Sequence, residues 1–184
     1  ILFDEKLSDI QPAFVQPFNR GLTIPSDPGA FSGASMIQLD PADKPNVGAG
    51  PLFVEKFSHT IPGWDFEIAE NPEPGQYRYL RFAWKGLTPA TRGVTLRLGP
   101  THSGGLAWNA GEATPFELTK AVQLGDSVPG DWKVETIDLW QAFEGKPVRI
   151  RAMGFGAAGG PAGFDRILLG QSIAELDANN VPEK

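Results

Sequence analysis

The stretch Tyr77-Arg78-Tyr79-Leu80-Arg81-Phe82-Ala83-Trp84-Lys85 decides the fold. Leu80, Phe82 and Trp84 fall on one parity, Tyr77, Tyr79, Arg81, Ala83 and Lys85 on the other. Alternate side chains leave opposite faces of a strand. The stretch therefore predicts a strand with an apolar core face and a polar, aromatic outer face. The Pro- and Gly-rich Asn71-Pro72-Glu73-Pro74-Gly75 before it reads as a turn.

Working outward, the same signal recurs. Trp64-Asp65-Phe66-Glu67-Ile68 alternates at period two, and Val94-Thr95-Leu96-Arg97-Leu98 points Thr95 and Arg97 outward before Gly99-Pro100 ends it. Strands are also expected at Ala30 to Leu39, around Leu52 to Phe57, and at Phe116 to Val122, Trp132 to Leu139, Val148 to Met153 and Phe164 to Leu169. Thr101 to Gly111, carrying Trp108, reads as a loop, and Gly154 to Gly163, with five glycines, reads as a flexible surface loop. The single helical turn expected is Leu139 to Phe143. Short strands, frequent turn signals and no long amphipathic helix predict an all-β, two-sheet antiparallel β-sandwich. The sandwich spans residues 30–170, preceded by a linker and edge strand at 1–29 and followed by a tail at 171–184.

Composition narrows the function classes. Gly 22 and Pro 17 together fill about a fifth of the 184 residues, against roughly 12% in average proteins, which favours strands and turns. No apolar run approaches the ~18 residues of a membrane helix, so no membrane insertion is expected. The net charge of −6 and the absence of a basic block argue against a nucleic-acid partner. The chain has no cysteine, which removes disulfides, thiolate metal sites and Cys nucleophiles. Its opening on Ile1 and its charged tail from Asp177 to Lys184 fit a piece of a longer chain with other domains.

Three segments carry a family resemblance: Phe31-Ser32-Gly33-Ala34-Ser35-Met36, Asp131-Trp132-Lys133-Val134-Glu135-Thr136-Ile137-Asp138-Leu139, and Phe164-Asp165-Arg166-Ile167-Leu168-Leu169. Their order and spacing resemble the galactose-binding-domain-like jelly rolls of bacterial carbohydrate-binding modules. Asn71 to Lys85 is similar to a stretch of such domains appended to large secreted bacterial proteins. The resemblance implies a jelly roll, a polysaccharide or oligosaccharide partner, and a secreted or periplasmic setting. It also implies a structural Ca2+ held in part by Asp165, although the Gly-aromatic-Glu opening that supplies the other ligands is missing here. The competing reading makes Asp165 a turn or surface charge.

Catalytic signals are weak. His59 and His102 are the two histidines and have no ligand spacing, no GxSxG elbow accompanies Ser103, and no phosphate-binding fingerprint is present. Asp65 and Glu67 share a strand face and could form a glycosidase pair, but such i, i+2 acids also serve as a solvated face. The chain is therefore expected not to be an enzyme. Recognition of a sugar needs aromatic faces together with donors and acceptors. Tyr77, Tyr79, Arg81, Arg97, Arg149 and Arg151 supply both if their strands are neighbours, with Trp108 as a stacking platform. Arginines grip carboxylates in pairs, so acidic glycans would be favoured. The alternative has the arginines pairing with the chain's own acids, such as Glu135 or Glu117, and Trp108 folded over the sandwich edge. A structural or protein-interaction β-sandwich with no sugar ligand is the reading from another class, and a small lyase or hydrolase is a third.

Overall fold

The computed structural model describes residues 64–101, 104–112 and 121–178 with their side chains, and the backbone of strands at 2–3, 22–23, 37–39 and 54–60. The elements are β1 Leu2–Phe3, β2 Leu22–Thr23, β3 Ile37–Leu39, β4 Val54–Thr60, β5 Phe66–Ile68, β6 Gln76–Tyr77, β7 Tyr79–Gly86, β8 Gly93–Gly99, β9 Leu106–Gly111, β10 Ala121–Gly125, β11 Lys133–Asp138, helix α1 Leu139–Ala142, β12 Val148–Ile150, β13 Ala152–Ala158, β14 Ala162–Gly170 and helix α2 Ile173–Ala178. The fold is an all-β sandwich. One sheet runs β11-β7-β14-β3-β2, with β1 also on β14, and the facing sheet runs β10-β9-β8-β13-β4. A small third sheet, β12-β5-β6, was not anticipated. Its β5–β6 pairing and the β9–β10 pairing are parallel.

Alternation builds the core. Leu80, Phe82 and Trp84 of β7 face Val94, Leu96 and Leu98 of β8, Leu106 and Trp108 of β9, and Met153 and Phe155 of β13 in one buried cluster. Phe155 and Phe164 meet across the sheets with ring centroids 5.0 Å apart, and Phe82 meets Trp84 edge-on at 4.9 Å, arrangements that aromatic pairs prefer.

β14 departs from simple alternation. Its core residues are Ala162 and Phe164, then Ile167 and Leu169, a change of parity that a regular strand forbids. The register against β7 shifts between Asp165 and Leu168, and Arg166 has φ 49°. This is a bulge, which inserts a residue and re-aims everything after it.

Two stretches expected to be loops are strands. Ala152 to Ala158 forms a buried central strand between β8 and β4. Its glycines and alanines carry too little apolar bulk to register as a strand in sequence. Leu106 to Gly111 is also a strand, because the β8–β9 turn closes within a few residues on glycines. A side-chain carbon at Gly99 would lie 2.0 Å from the Gly104 carbonyl oxygen, and Gly105 has φ 107°. The expected strand at Phe116 to Val122 begins at Ala121, with 113–120 outside the described residues. The motif at Phe31 to Met36 lies outside them as well. In the 171–184 segment, α2 packs on β14 through buried Leu176.

Candidate functional site

The structure separates the residues that alternation had placed on one face. Tyr77 is a correction: it is buried in the core at 7% exposure, because β6 and β7 are different strands and the alternation restarts at Arg78. There the Arg78 N–H donates to the Gly170 carbonyl. Burial, with Glu175 adding to it, raises the Tyr77 pKa above its ordinary value. Trp108 is a second correction. At 1% exposure it stands opposite Leu96 in the core, so it offers no platform to solvent.

Arg81 keeps its expected outward parity but is covered. Its Nε donates to the Thr136 hydroxyl at 3.0 Å and its Nη1 meets Asp177 of α2 at 2.7 Å. Arg97 lies on the outer face of the second sheet, 3% exposed, and Nη2 donates to the Gly104 carbonyl. Burial pulls its pKa below the ordinary guanidinium range. Tyr79 is half-buried, with the Arg78 guanidinium 5.3 Å from its ring centre. The Arg78 guanidinium in turn bridges to Asp138 at 2.7 Å. Asp138 accepts from the Gln141 N–H at 3.2 Å, capping α1.

Arg149 and Arg151 remain exposed and lie together, Arg149 on the small sheet and Arg151 just past the end of its strand β12. Val148 pairs with Ile68 and Ile150 with Phe66, so Arg149 projects to the opposite face beside Glu67 and Gln76. Arg149 Nε and Arg151 Nε both reach Asp65 Oδ1, at 2.7 and 2.9 Å, and Arg149 Nη2 reaches Oδ2 at 3.0 Å. Arg149 Nη1 lies 3.6 Å from Glu67, and Gln76 Nε2 donates to Glu67 at 2.7 Å. The hydrogen bond from Arg149, then that from Arg151, holds the Asp65 pKa at about 2, against 3.8 ordinarily. The same contact raises that of Arg149. Beneath this charged row, Trp64, Phe66 and Tyr77 stack in sequence at 5.3 and 5.4 Å. Sequence alternation identified Asp65 and Glu67 as sharing a face, but their partners come from a strand about 80 residues onward that no local pattern ties to them.

A second polar row was missed. Thr95, Asn109 and Gln123 lie side by side across β8, β9 and β10 on the outer face of the second sheet. Thr95 Oγ1 donates to Asn109 Oδ1 at 2.6 Å, and Asn109 Nδ2 to Gln123 Oε1 at 3.0 Å. Thr95 and Asn109 are fully buried, and the row is closed by its own bonds. Its residue types are too common in turns and strands to signal a network from sequence.

Asp165 is buried at 2% exposure, so it is not the surface charge of the competing reading. Its Oδ1 accepts the Arg166 N–H at 2.7 Å, which fastens the bulge. Calcium takes six to eight oxygens, and among the described residues no three acidic or histidine side chains converge. His59 falls on β4, described by backbone alone, and His102 lies outside the described residues. Among the described residues no helix is long and apolar enough to cross a membrane.

No known sequence family and no curated protein matches the chain. Solved structures similar to it include carbohydrate-binding modules. The glycoside hydrolase domain of Endo-D, Spr0440, from Streptococcus pneumoniae R6 has 15% identity and a TM-score of 0.47 over 84% of this chain, which spans 21% of that one. TmCBM61, solved with β-1,4-galactotriose, has 12% identity and a TM-score of 0.39, covering 83% of each chain. TmCBM27, a module of specific mannan recognition, has 12% identity and a TM-score of 0.30, covering 81% of this chain and 82% of that one.

Proposed function

We propose that this chain is a non-catalytic carbohydrate-binding module of a secreted or periplasmic multidomain protein, and that it binds sugar at the Asp65–Arg149–Arg151–Glu67–Gln76 cluster. The observation that carries the reading is this exposed row of carboxylates, guanidiniums and an amide, each held in place by its neighbours. Together these groups supply acceptors and donors in the mixture that vicinal hydroxyls require. Because they are already fixed, little side-chain entropy is lost on binding. The two arginines and two acids cancel in charge, which supports neutral glycans ahead of the acidic ones expected from the arginines alone.

The same cluster argues against Asp65 as the general acid of a glycosidase. A general acid in that reaction needs a raised pKa, whereas the Asp65 carboxyl stays ionised down to about pH 2.

The test is titration of the folded chain with neutral and uronic-acid oligosaccharides, comparing wild type with Asp65→Asn and the Arg149→Met, Arg151→Met pair. Loss of one charge-assisted hydrogen bond, about 1.5–3 kcal/mol, lowers affinity roughly tenfold to a hundredfold. Binding that survives all three substitutions moves the site elsewhere. No binding by a well-folded chain favours a protein-interaction sandwich, and turnover of any glycan overturns the non-catalytic part.

A further inference from the structure

At one end of the sandwich, the starts of β9 and β10 meet the end of α1 and the start of β12 around an open cavity of about 510 Å³. Its walls include Leu106, Val122, Phe143 and Val148, and Glu144 and Lys146 line it as well. That volume lies within the range of small-molecule sites. Val148 is separated from the sugar cluster by the sheet itself, since Arg149 beside it projects to the other face. The cavity is therefore a different place in the molecule.

Two features distinguish it from a gap in packing. Val122, a large apolar side chain on the edge strand β10, is left 42% exposed. Glu144 has φ 61°, a left-handed conformation at the end of α1, where its N–H donates to the Gln141 carbonyl and the next N–H, of Gly145, to that of Trp140. Glycine fills such a helix-end position without strain, whereas a non-glycine residue there costs about 1–3 kcal/mol. A residue held against its backbone preference is the kind of local conflict that functional sites carry. What Glu144 contributes there is a carboxylate 3.0 Å from Lys146 Nζ.

We propose that this cavity binds a small zwitterionic amphiphile of the free apolar amino acid class. The apolar body lies against Phe143, Leu106, Val122 and Val148, the ligand carboxylate meets the Lys146 ammonium, and the ligand ammonium meets the Glu144 carboxylate. The existing Glu144–Lys146 pair is exposed on both sides, 61% and 69% by side chain. Pairs of that kind contribute about 0–1 kcal/mol, so opening this one to admit both ligand charges costs little.

The experiment is a titration of the isotope-labelled chain with phenylalanine and with leucine, followed by backbone amide shifts. N-acetyl-phenylalanine amide, which has the same body without charges, is the control. Saturable shifts are expected at Val122, Phe143 and Glu144, weakened at least about tenfold for the uncharged control and in Lys146→Met, as charge-assisted hydrogen bonds are lost. Glu144→Gly is expected to lose binding by a similar factor while its melting temperature holds or rises, since glycine relieves the backbone. Absence of saturable shifts, equal binding of the uncharged control, unchanged binding in both variants, or a melting temperature lowered by Glu144→Gly would each overturn the proposal.

Discussion

Replacing Trp108 by alanine separates two accounts of the molecule. As a stacking platform in a glycine-rich loop, Trp108 would be removed with little effect on stability and a large effect on sugar binding. The structure instead places it at 1% exposure, opposite Leu96 and beside Leu106 in the core cluster. An aromatic side chain buries about 150–250 Å², which at ~25 cal/mol per Å² is about 4–6 kcal/mol as an upper figure. Aromatic-to-alanine substitutions in cores cost about 3–5 kcal/mol. For a domain whose whole stability is about 5–15 kcal/mol, that is a large share. At this chain length it lowers the melting temperature by roughly 6–20 °C. Guanidinium unfolding followed by fluorescence and by circular dichroism is the assay, with the midpoint displaced and the slope unchanged. A loss below about 1 kcal/mol, with both probes coincident, would refute the core placement and with it the strand parity of β9.

Three further outcomes follow from particular contacts. Asp65 is expected to titrate near 2 by carbon-detected NMR and to return toward 3.8 when Arg149 and Arg151 are both methionine. Its folded pKa lies below its unfolded one, so the stabilisation it contributes is present above about pH 4 and is lost as pH falls through about 2. Gly99→Ala drives a carbon into the Gly104 carbonyl and is expected to cost about 1–3 kcal/mol or more by the overpacking rule; a melt unchanged from wild type would mean the β8–β9 turn is built differently. Chelation with EDTA is expected to leave the melting temperature unchanged if Asp165 serves to fasten the bulge through the Arg166 N–H; a fall restored by added calcium would instead place the ion there.

Strands whose inward residues are large were readable from sequence. Leu80, Phe82 and Trp84 announce β7, and Val94, Leu96 and Leu98 announce β8, because bulk repeated at period two has few other uses. β13 escaped notice because Gly154, Gly156 and three alanines leave Phe155 and Met153 as its only bulky signals. Asp65 and Glu67 could be placed on one face from their spacing alone, whereas their pairing with Arg149 and Arg151 depends on which strands become neighbours. Alternation gives the direction of a side chain relative to its own strand. It does not say whether that face is covered, and Arg81 and Arg97 point outward into protein.

The bulge in β14 divides one strand into two reading phases. Before Asp165 the strand pairs with β3, and beyond it with β1, two partners drawn from distant parts of the chain. Removing the one extra residue there would restore a single unbroken alternation, with Ala162, Phe164, Ile167 and Leu169 all on the inward parity. The bulge is thus a joint at which β14 can shorten by one residue and keep both inward pairs on the core, whereas the same change within either half would turn inward residues out.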